Sequence, residues 1–332
     1  MIAFIFPGQG SQKVGMGREL FDAYPVARET FAEADAAFMS GGPEGPLLHS
    51  EDVEADLQVR LSDLTFNGPE DRLTLTENTQ PAILTVSIAA CRVLMSNGIA
   101  PDFVAGHSLG EYSANVAAGT LRFGDAVSIV RRRGRYMQEA VPVGAGAMAA
   151  ILGSDLDTVR RACQEAAEGE VVSPANINGP GQIVIAGAAA AVQRASERAR
   201  ALGARRAVPL PVSAPFHCAL MQPAEARLEP ELRGLAAGNP RMPIVANVDA
   251  EPKRDAGSAV DALVRQVSAP VQWEAVVERL ASEGVTTYVE VGPGTVLGGL
   301  VKKIHKDAHV LHFGSPDELG AVVAACSISA EK

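Results

Sequence analysis

The sequence predicts an α/β fold in which a large domain, built on a short parallel sheet, is interrupted by a small subdomain. Three observations predict it. Up to about residue 140, short apolar runs alternate with long amphipathic stretches, as strands alternate with crossover helices. One such run, ending at Ala105, passes through Gly106-His107-Ser108-Leu109-Gly110 straight into a helical stretch. From residue 146 the order becomes strand, helix, strand, strand, helix, strand, the split βαβ unit of a ferredoxin-like subdomain.

The elements follow in order. Residues 2–6 are wholly apolar and turn at Pro7-Gly8; with no basic segment ahead of them and so short a run, they read as a first strand, not a signal peptide. A helix is expected over 24–38, and an exposed loop over 40–57, where glycine, proline and acidic residues collect. A strongly apolar helix over 79–97 precedes a strand at 103–105, a helix at 111–119 and another at 123–139. The pattern changes around Pro142-Val143-Gly144. Strands at 147–152, 171–176, 182–186 and 207–211, with helices at 156–168 and 189–202, make the small unit. The large-domain style returns with a strand at 244–248, helices at 260–267 and 271–283, and a strand at 287–291. The expected division is therefore a discontinuous large domain, 1–143 and 208–320, around a small subdomain, 144–207.

Composition bounds the function. A chain of 332 residues with 47% apolar content is long enough to bury a large core. Its four cysteines, at 91, 163, 218 and 326, show no paired spacing, which predicts reduced thiols in a cytoplasmic setting. Uninterrupted apolar runs of about 20 residues are missing, so no membrane span is expected. A net charge of −10 disfavours nucleic acid. The basic cluster Arg131-Arg132-Arg133-Gly134-Arg135 scatters its side chains around a helix, and a solvated face is its ordinary reading.

The glycine-flanked Ser108 is the candidate nucleophile. A Gly-x-Ser-x-Gly turn between strand and helix, as in an α/β-hydrolase-like fold, is too sharp for side chains at its flanks. It presents the hydroxyl over a helix N-terminus whose free N–H groups stabilise an oxyanion. Phe6-Pro7-Gly8-Gln9-Gly10-Ser11-Gln12 follows the first strand; its spacing is wrong for a phosphate cradle. It reads either as a tight turn or as a second oxyanion donor, the N–H of Gln9 beside that of Leu109. Gly144 to Ala149 mimics a dinucleotide fingerprint but precedes a strand, so it is set aside. Of six histidines, at 49, 107, 217, 305, 309 and 312, His107 is expected to point away from the hydroxyl, and the last three look like surface positions. His217 follows a strand in the proline-stiffened Ser213-Ala214-Pro215-Phe216 loop, where it is either the base or a structural, hydrogen-bonded histidine. Cys218 beside it has no elbow to mount it as a nucleophile. A third acidic member is not evident, so a dyad oriented by backbone is expected.

Taken together these residues resemble the malonyl-CoA:acyl carrier protein transacylase family, the acyltransferases of fatty acid and polyketide synthesis. The resemblance rests on the loop 6–12, Thr76-Glu77-Asn78-Thr79-Gln80-Pro81-Ala82, Gly106 to Tyr112, Arg133-Gly134 with Met137-Gln138, Ser213 to His217, Arg265-Gln266 with Pro270-Val271-Gln272-Trp273, and Glu290-Val291-Gly292-Pro293-Gly294, in family order to about residue 305. It implies Ser108 as nucleophile, His217 as base, the backbone of Gln9 and Leu109 as oxyanion hole, and the Gln266 carbonyl as the group orienting the imidazole. It implies that Arg133, 25 residues after the serine, holds the free carboxylate of a malonyl group. A planar guanidinium does this bidentately. Phe216 resembles the bulky residue that accompanies malonyl over methylmalonyl selection. The implied partners are malonyl-CoA, as substrate, and acyl carrier protein; no cofactor, metal, nucleic acid or membrane is implied, and a monomer is the default. Arg131, Arg132, Arg205 and Arg206 are candidates for docking an acidic carrier. The loop at 40–57 is longer than the family's usual connection and has no assigned function. The rival readings are a thioesterase that clears carrier-bound acyl groups, which has no use for Arg133, and a catalytically silent docking module.

Overall fold

The computed structural model describes residues 1–40, 59–212 and 214–329. Its main sheet has six strands: β1 (Ile2–Phe6), β2 (Phe103–Gly106), β7 (Ile244–Val245), β8 (Pro252–Lys253), β9 (Thr287–Val291) and β10 (His309–Phe313). The spatial order is β10-β9-β1-β2-β7-β8, parallel throughout except for β8, which pairs antiparallel with β7. Central β1 shows why an unbroken apolar run was needed. Ile2, Phe4 and Phe6 enter the main core on one face, while Ala3 and Ile5 enter a second cluster on the other.

Four further strands, β3 (Gly146–Leu152), β4 (Val172–Gly179), β5 (Gln182–Ala188) and β6 (Arg206–Pro209), form an antiparallel sheet in the order β4-β5-β3-β6. Helices Leu156–Ala166 and Ala189–Ala201 cover it and bury a separate apolar cluster that includes Ile151, Val159, Ile183 and Val192. Asp155 caps the first of these helices, accepting from Thr158 N at 2.7 Å.

Several boundaries differ from expectation for identifiable reasons. The helix expected from 271 begins at Trp273, because Val271 is held by β4: its N–H donates to Ala175 O and its carbonyl accepts from Ile177 N, both at 2.9 Å. The strand expected over 244–248 stops at Val245; the chain turns, with Ala250 at φ 55°, into β8. The helix expected over 260–267 runs Ala256–Arg265, started by the Asp255 side chain on Ser258 N. Helices Leu61–Asn67, Gln222–Gly234 and Val296–Ile304, and the edge strand β10, were not read from sequence. Of the exposed loop expected at 40–57, Ser40 ends the helix Pro25–Ser40 and the rest lies outside the described residues. Among the described helices, Thr76–Ser96 is long and apolar enough to cross a membrane, yet most of it is buried inside the protein.

Candidate active site

Carboxyl ends of adjacent parallel strands converge where ligands bind in open α/β sheets. β2 delivers the elbow. Gly106 and Gly110 lie so close that a Cβ on Gly106 would meet the Gly110 carbonyl carbon and oxygen at 2.0 Å, and one on Gly110 would meet Phe6 O at 2.0 Å. Between them Ser108 takes φ 52°, a region that non-glycine residues enter at a cost. Asn247, just past β7, fastens this turn by accepting from Ser108 N at 2.7 Å and donating to Gly106 O at 2.7 Å.

The elbow amides are largely spoken for. His107 N donates to Phe6 O, Ser108 N to Asn247 and Gly110 N to His107 O. Among the described residues no acceptor takes the N–H of Leu109 or of Gln9. The loop after β1 packs against the turn, and a Cβ on Gly8 would meet His107 O at 2.4 Å. The Gln9 side chain is exposed, with Nε2 3.3 Å from Thr76 Oγ1.

His217 reaches the same point from the loop after β6. Its Nε2 lies 2.7 Å from Ser108 Oγ, and its Nδ1 lies 3.0 Å from the Gln266 carbonyl. A carbonyl only accepts, so Nδ1 carries the proton and Nε2 is left to accept from the serine hydroxyl. His217 also sits at positive φ, 61°. Burial first, and then the Arg133 cation, push its pKa down to about 3. Neighbouring Cys218 is buried with Sγ against Pro215 O, and burial pushes its thiol up to about 11. Phe216 packs into the main core.

Arg133 comes from the helix Phe123–Glu139, on the buried face that also carries Ala126, Val130 and Met137. It is 1% exposed, and its hydrogen-bond partners are uncharged: Gln80 Oε1 at 2.8 Å, Gln266 Oε1 at 2.9 Å and Ser108 Oγ at 3.4 Å. Among the described residues its Nε has no hydrogen-bond partner. A buried guanidinium held by neutral amides beside a serine hydroxyl has its charge unanswered and the donor geometry to take an anion.

Comparison with known proteins settles the family. The sequence profile of the acyl transferase domain matches residues 3–313. Malonyl CoA-acyl carrier protein transacylase of Escherichia coli (strain K12) is 49% identical over 97% of this chain and 98% of its own. That of Bacillus subtilis (strain 168) is 46% identical over 96% and 95%. The chain belongs to the malonyl CoA-acyl carrier protein transacylase family. Solved structures agree: an acyl carrier protein S-malonyltransferase from Vibrio cholerae superposes with a TM-score of 0.89 at 44% identity, covering 97% of this chain and 99% of that one. A malonyl-transacylase in complex with its type II PKS acyl-carrier protein gives 0.90 at 44% identity, covering 98% and 99%.

Two residues of this transacylase site were not singled out from sequence. Glu111, 1% exposed, accepts from Gln266 Nε2 at 2.7 Å and Asn247 N at 3.0 Å. Burial raises its carboxyl to about 7, against the hydrogen bonds from Gln266 and Asn247. Glu111 follows directly on the glycine-serine motif, within the Gly106 to Tyr112 segment of the resemblance, which was its only signal; Asn247 offered none.

Arg132 is buried in an ion pair with Glu231 at 2.7 Å, which removes it from the surface a carrier could meet; Arg131 is half-buried, lying over the Phe38 ring at 3.8 Å while donating to Phe38 O. Arg205 and Arg206 are exposed. Two of the three histidines read as surface positions are half-buried: His312 bonds Glu318 Oε1 and Gly292 O, and His305 Nδ1 lies 3.2 Å from Tyr288 OH. His309 is exposed; His49 lies outside the described residues. His107 turns from the hydroxyl to Asn178 Oδ1 at 2.8 Å. Among the described residues no group of three or more His, Cys, Asp or Glu side chains is placed to hold a metal ion.

Proposed function

We propose that this chain transfers a malonyl group from malonyl-CoA to the phosphopantetheine thiol of acyl carrier protein, with Ser108 as nucleophile, His217 as base and Arg133 as the carboxylate receptor. Ser108 Oγ attacks the thioester carbonyl as its proton passes to His217 Nε2. The oxyanion rests on the N–H groups of Gln9 and Leu109, which meet no acceptor among the described residues. Collapse breaks the C–S bond, CoA leaves with the proton from His217, and a malonyl ester remains on Ser108. The carrier thiol then gives its proton to His217 and attacks that ester, and Ser108 Oγ departs with the proton. Serine ester and thioester are close in energy, so the exchange is reversible.

The observation that carries this reading is Arg133 Nη2 lying 3.4 Å from Ser108 Oγ with only neutral partners. An acetyl group leaves that charge unanswered. A stranded buried partner costs about 2–5 kcal/mol, a discrimination of about 30-fold to several thousand-fold. Phe216 beside His217 supports preference for malonyl over bulkier acyl groups, at about 1–3 kcal/mol for a methyl. Four buried free cysteines support a reducing, cytoplasmic setting. The separate apolar cluster under the second sheet supports residues 144–207 as a small domain inserted between 1–143 and 208–320.

Intact mass after mixing with malonyl-CoA or acetyl-CoA tests the reading. Wild type is expected to gain a malonyl adduct, Ser108→Ala none, and Arg133→Ala to load acetyl without preference. Free malonate accumulating in place of adduct, undiminished by added carrier, would sink the transferase in favour of a hydrolase.

A further inference from the structure

Gln266 sits between groups that only donate and groups that only accept. Its Oε1 accepts from Arg133 Nη2 at 2.9 Å, while its Nε2 donates to Glu111 Oε2 at 2.7 Å and to the Ser108 carbonyl at 2.9 Å. A guanidinium has no acceptor and a carbonyl or carboxylate oxygen no donor, so one amide orientation alone satisfies all three. Reversed, the amide would set N–H against N–H and oxygen against oxygen in a site where Gln266 is 0% and Arg133 and Glu111 are each 1% exposed.

We propose that Glu111 is a positioning residue for acyl selection: it fixes the Gln266 amide so that its oxygen holds the Arg133 guanidinium beside Ser108, and thereby sets the preference for acyl groups bearing a free carboxylate. This rests on Arg133 being the carboxylate receptor. Glu111 Oε2 is itself placed by Asn247 N at 3.0 Å, and Asn247 holds the serine turn, so one buried oxygen ties receptor and nucleophile together. The interposed amide has a second consequence. It keeps the Glu111 carboxylate from pairing with the guanidinium directly, and the cation stays available to substrate. Protonation of Glu111 on Oε1 leaves Oε2 accepting, so the hold survives either charge state.

The test compares Glu111→Gln, Glu111→Asp, Glu111→Ala and, as reference, Arg133→Ala, measuring kcat and KM for malonyl-CoA and the rate of acetyl loading. Glu111→Gln supplies an amide oxygen at the same place and is expected to keep the malonyl-to-acetyl ratio within about threefold of wild type. Glu111→Ala is expected to raise malonyl KM about tenfold while acetyl loading changes little, so the ratio collapses. Glu111→Asp withdraws the oxygen by one methylene and is expected to fall between; it decides the matter if the alanine variant does not fold. A merely structural residue would lower the active fraction, reducing kcat for both acyl groups and leaving KM and the ratio unchanged; that result overturns the proposal. So does Glu111→Gln falling as far as Glu111→Ala, which would make charge, not orientation, the agent. If Arg133→Ala itself leaves the ratio unchanged, the receptor reading fails and this one with it; a collapsed ratio in Arg133→Ala with an intact one in Glu111→Ala overturns only the role of Glu111.

Discussion

His217 and Ser108 both hold positive φ, and the surrounding bonds pin them there: Asn247 on the serine amide, the Gln266 carbonyl on the imidazole. A base must be neutral to work, and burial beside the Arg133 cation keeps this imidazole neutral far below the ordinary range. The sign is clear. A group with its pKa lowered stays in its active, unprotonated form as pH falls. An ordinary histidine near 6.5 would lose about 30-fold of its neutral form by pH 5, whereas here kcat/KM for malonyl loading is expected to change by less than about twofold between pH 8 and pH 5. An acid limb centred near 6.5 that persists in Glu111→Gln, whose side chain does not titrate, would show that the imidazole is not so buried in the working enzyme. Residues of this kind were legible in sequence when their chemistry was local. Ser108 stood out by its flanking glycines; the loop of His217 left a base and a structural histidine both open, and the family resemblance implied the base. Asn247 did not stand out, because its role depends on bonds to Gly106 and Ser108, 141 and 139 positions away in the chain.

Among the elements, the helix Phe123–Glu139 carries most of the selectivity argument. Its arginines are a single run in the sequence, and the helix scatters them to different fates, as its geometry predicts: Arg131 onto Phe38, Arg132 to Glu231, Arg133 beside Ser108. Periodicity could locate that helix but not what each face meets. Its approach to the N-terminus of Thr76–Ser96 is set by Gly134, where a Cβ would lie 2.6 Å from Thr76 O and 2.7 Å from its carbonyl carbon. Backbone atoms cannot step aside as a flexible side chain can. Gly134→Ala is therefore expected to push the helices apart, costing roughly 1–3 kcal/mol, and to draw Arg133 away from Gln80, 2.8 Å from it. Thermal denaturation should show the first effect and a raised malonyl KM the second. A variant with unchanged melting and unchanged KM would mean the contact relaxes without moving Arg133. Other elements were invisible for a different reason. β10 carries two histidines in its five residues and its burial pattern is partial, so nothing in its sequence marks an edge strand; pairing with β9 makes it one. Glu290, at the end of β9, accepts from Leu297 N and Gly298 N and so starts the next helix from a neighbouring strand.

At the scale of the molecule, the second sheet is tied to the first beside the nucleophile. Ile177 and Ala175 of β4 bond the backbone of Val271, and Asn178 Oδ1 lies 2.8 Å from Nε2 of His107, the residue before Ser108. Alternation of strands and helices made both sheets legible, because each has its own run of apolar segments; the junction was not, since it pairs residues read as belonging to separate units. An acyl-enzyme that waits for a carrier thiol must keep water from its ester, and Asn178 of the small sheet bonds the residue next to the nucleophile. Asn178→Ala removes the side-chain tie while leaving the backbone bonds to Val271, so β4 should keep its place with a loss of about 1 kcal/mol. Water should then reach the ester more readily. The malonyl-enzyme, formed with malonyl-CoA and freed of excess substrate, is expected to decay several-fold faster to free malonate in the absence of carrier, followed by intact mass over time. Transfer to added carrier should remain efficient, because Ser108, His217 and Arg133 are untouched. If the adduct lasts as long as in wild type, the His107–Asn178 bond serves the junction alone, and water must be held off by another part of the site.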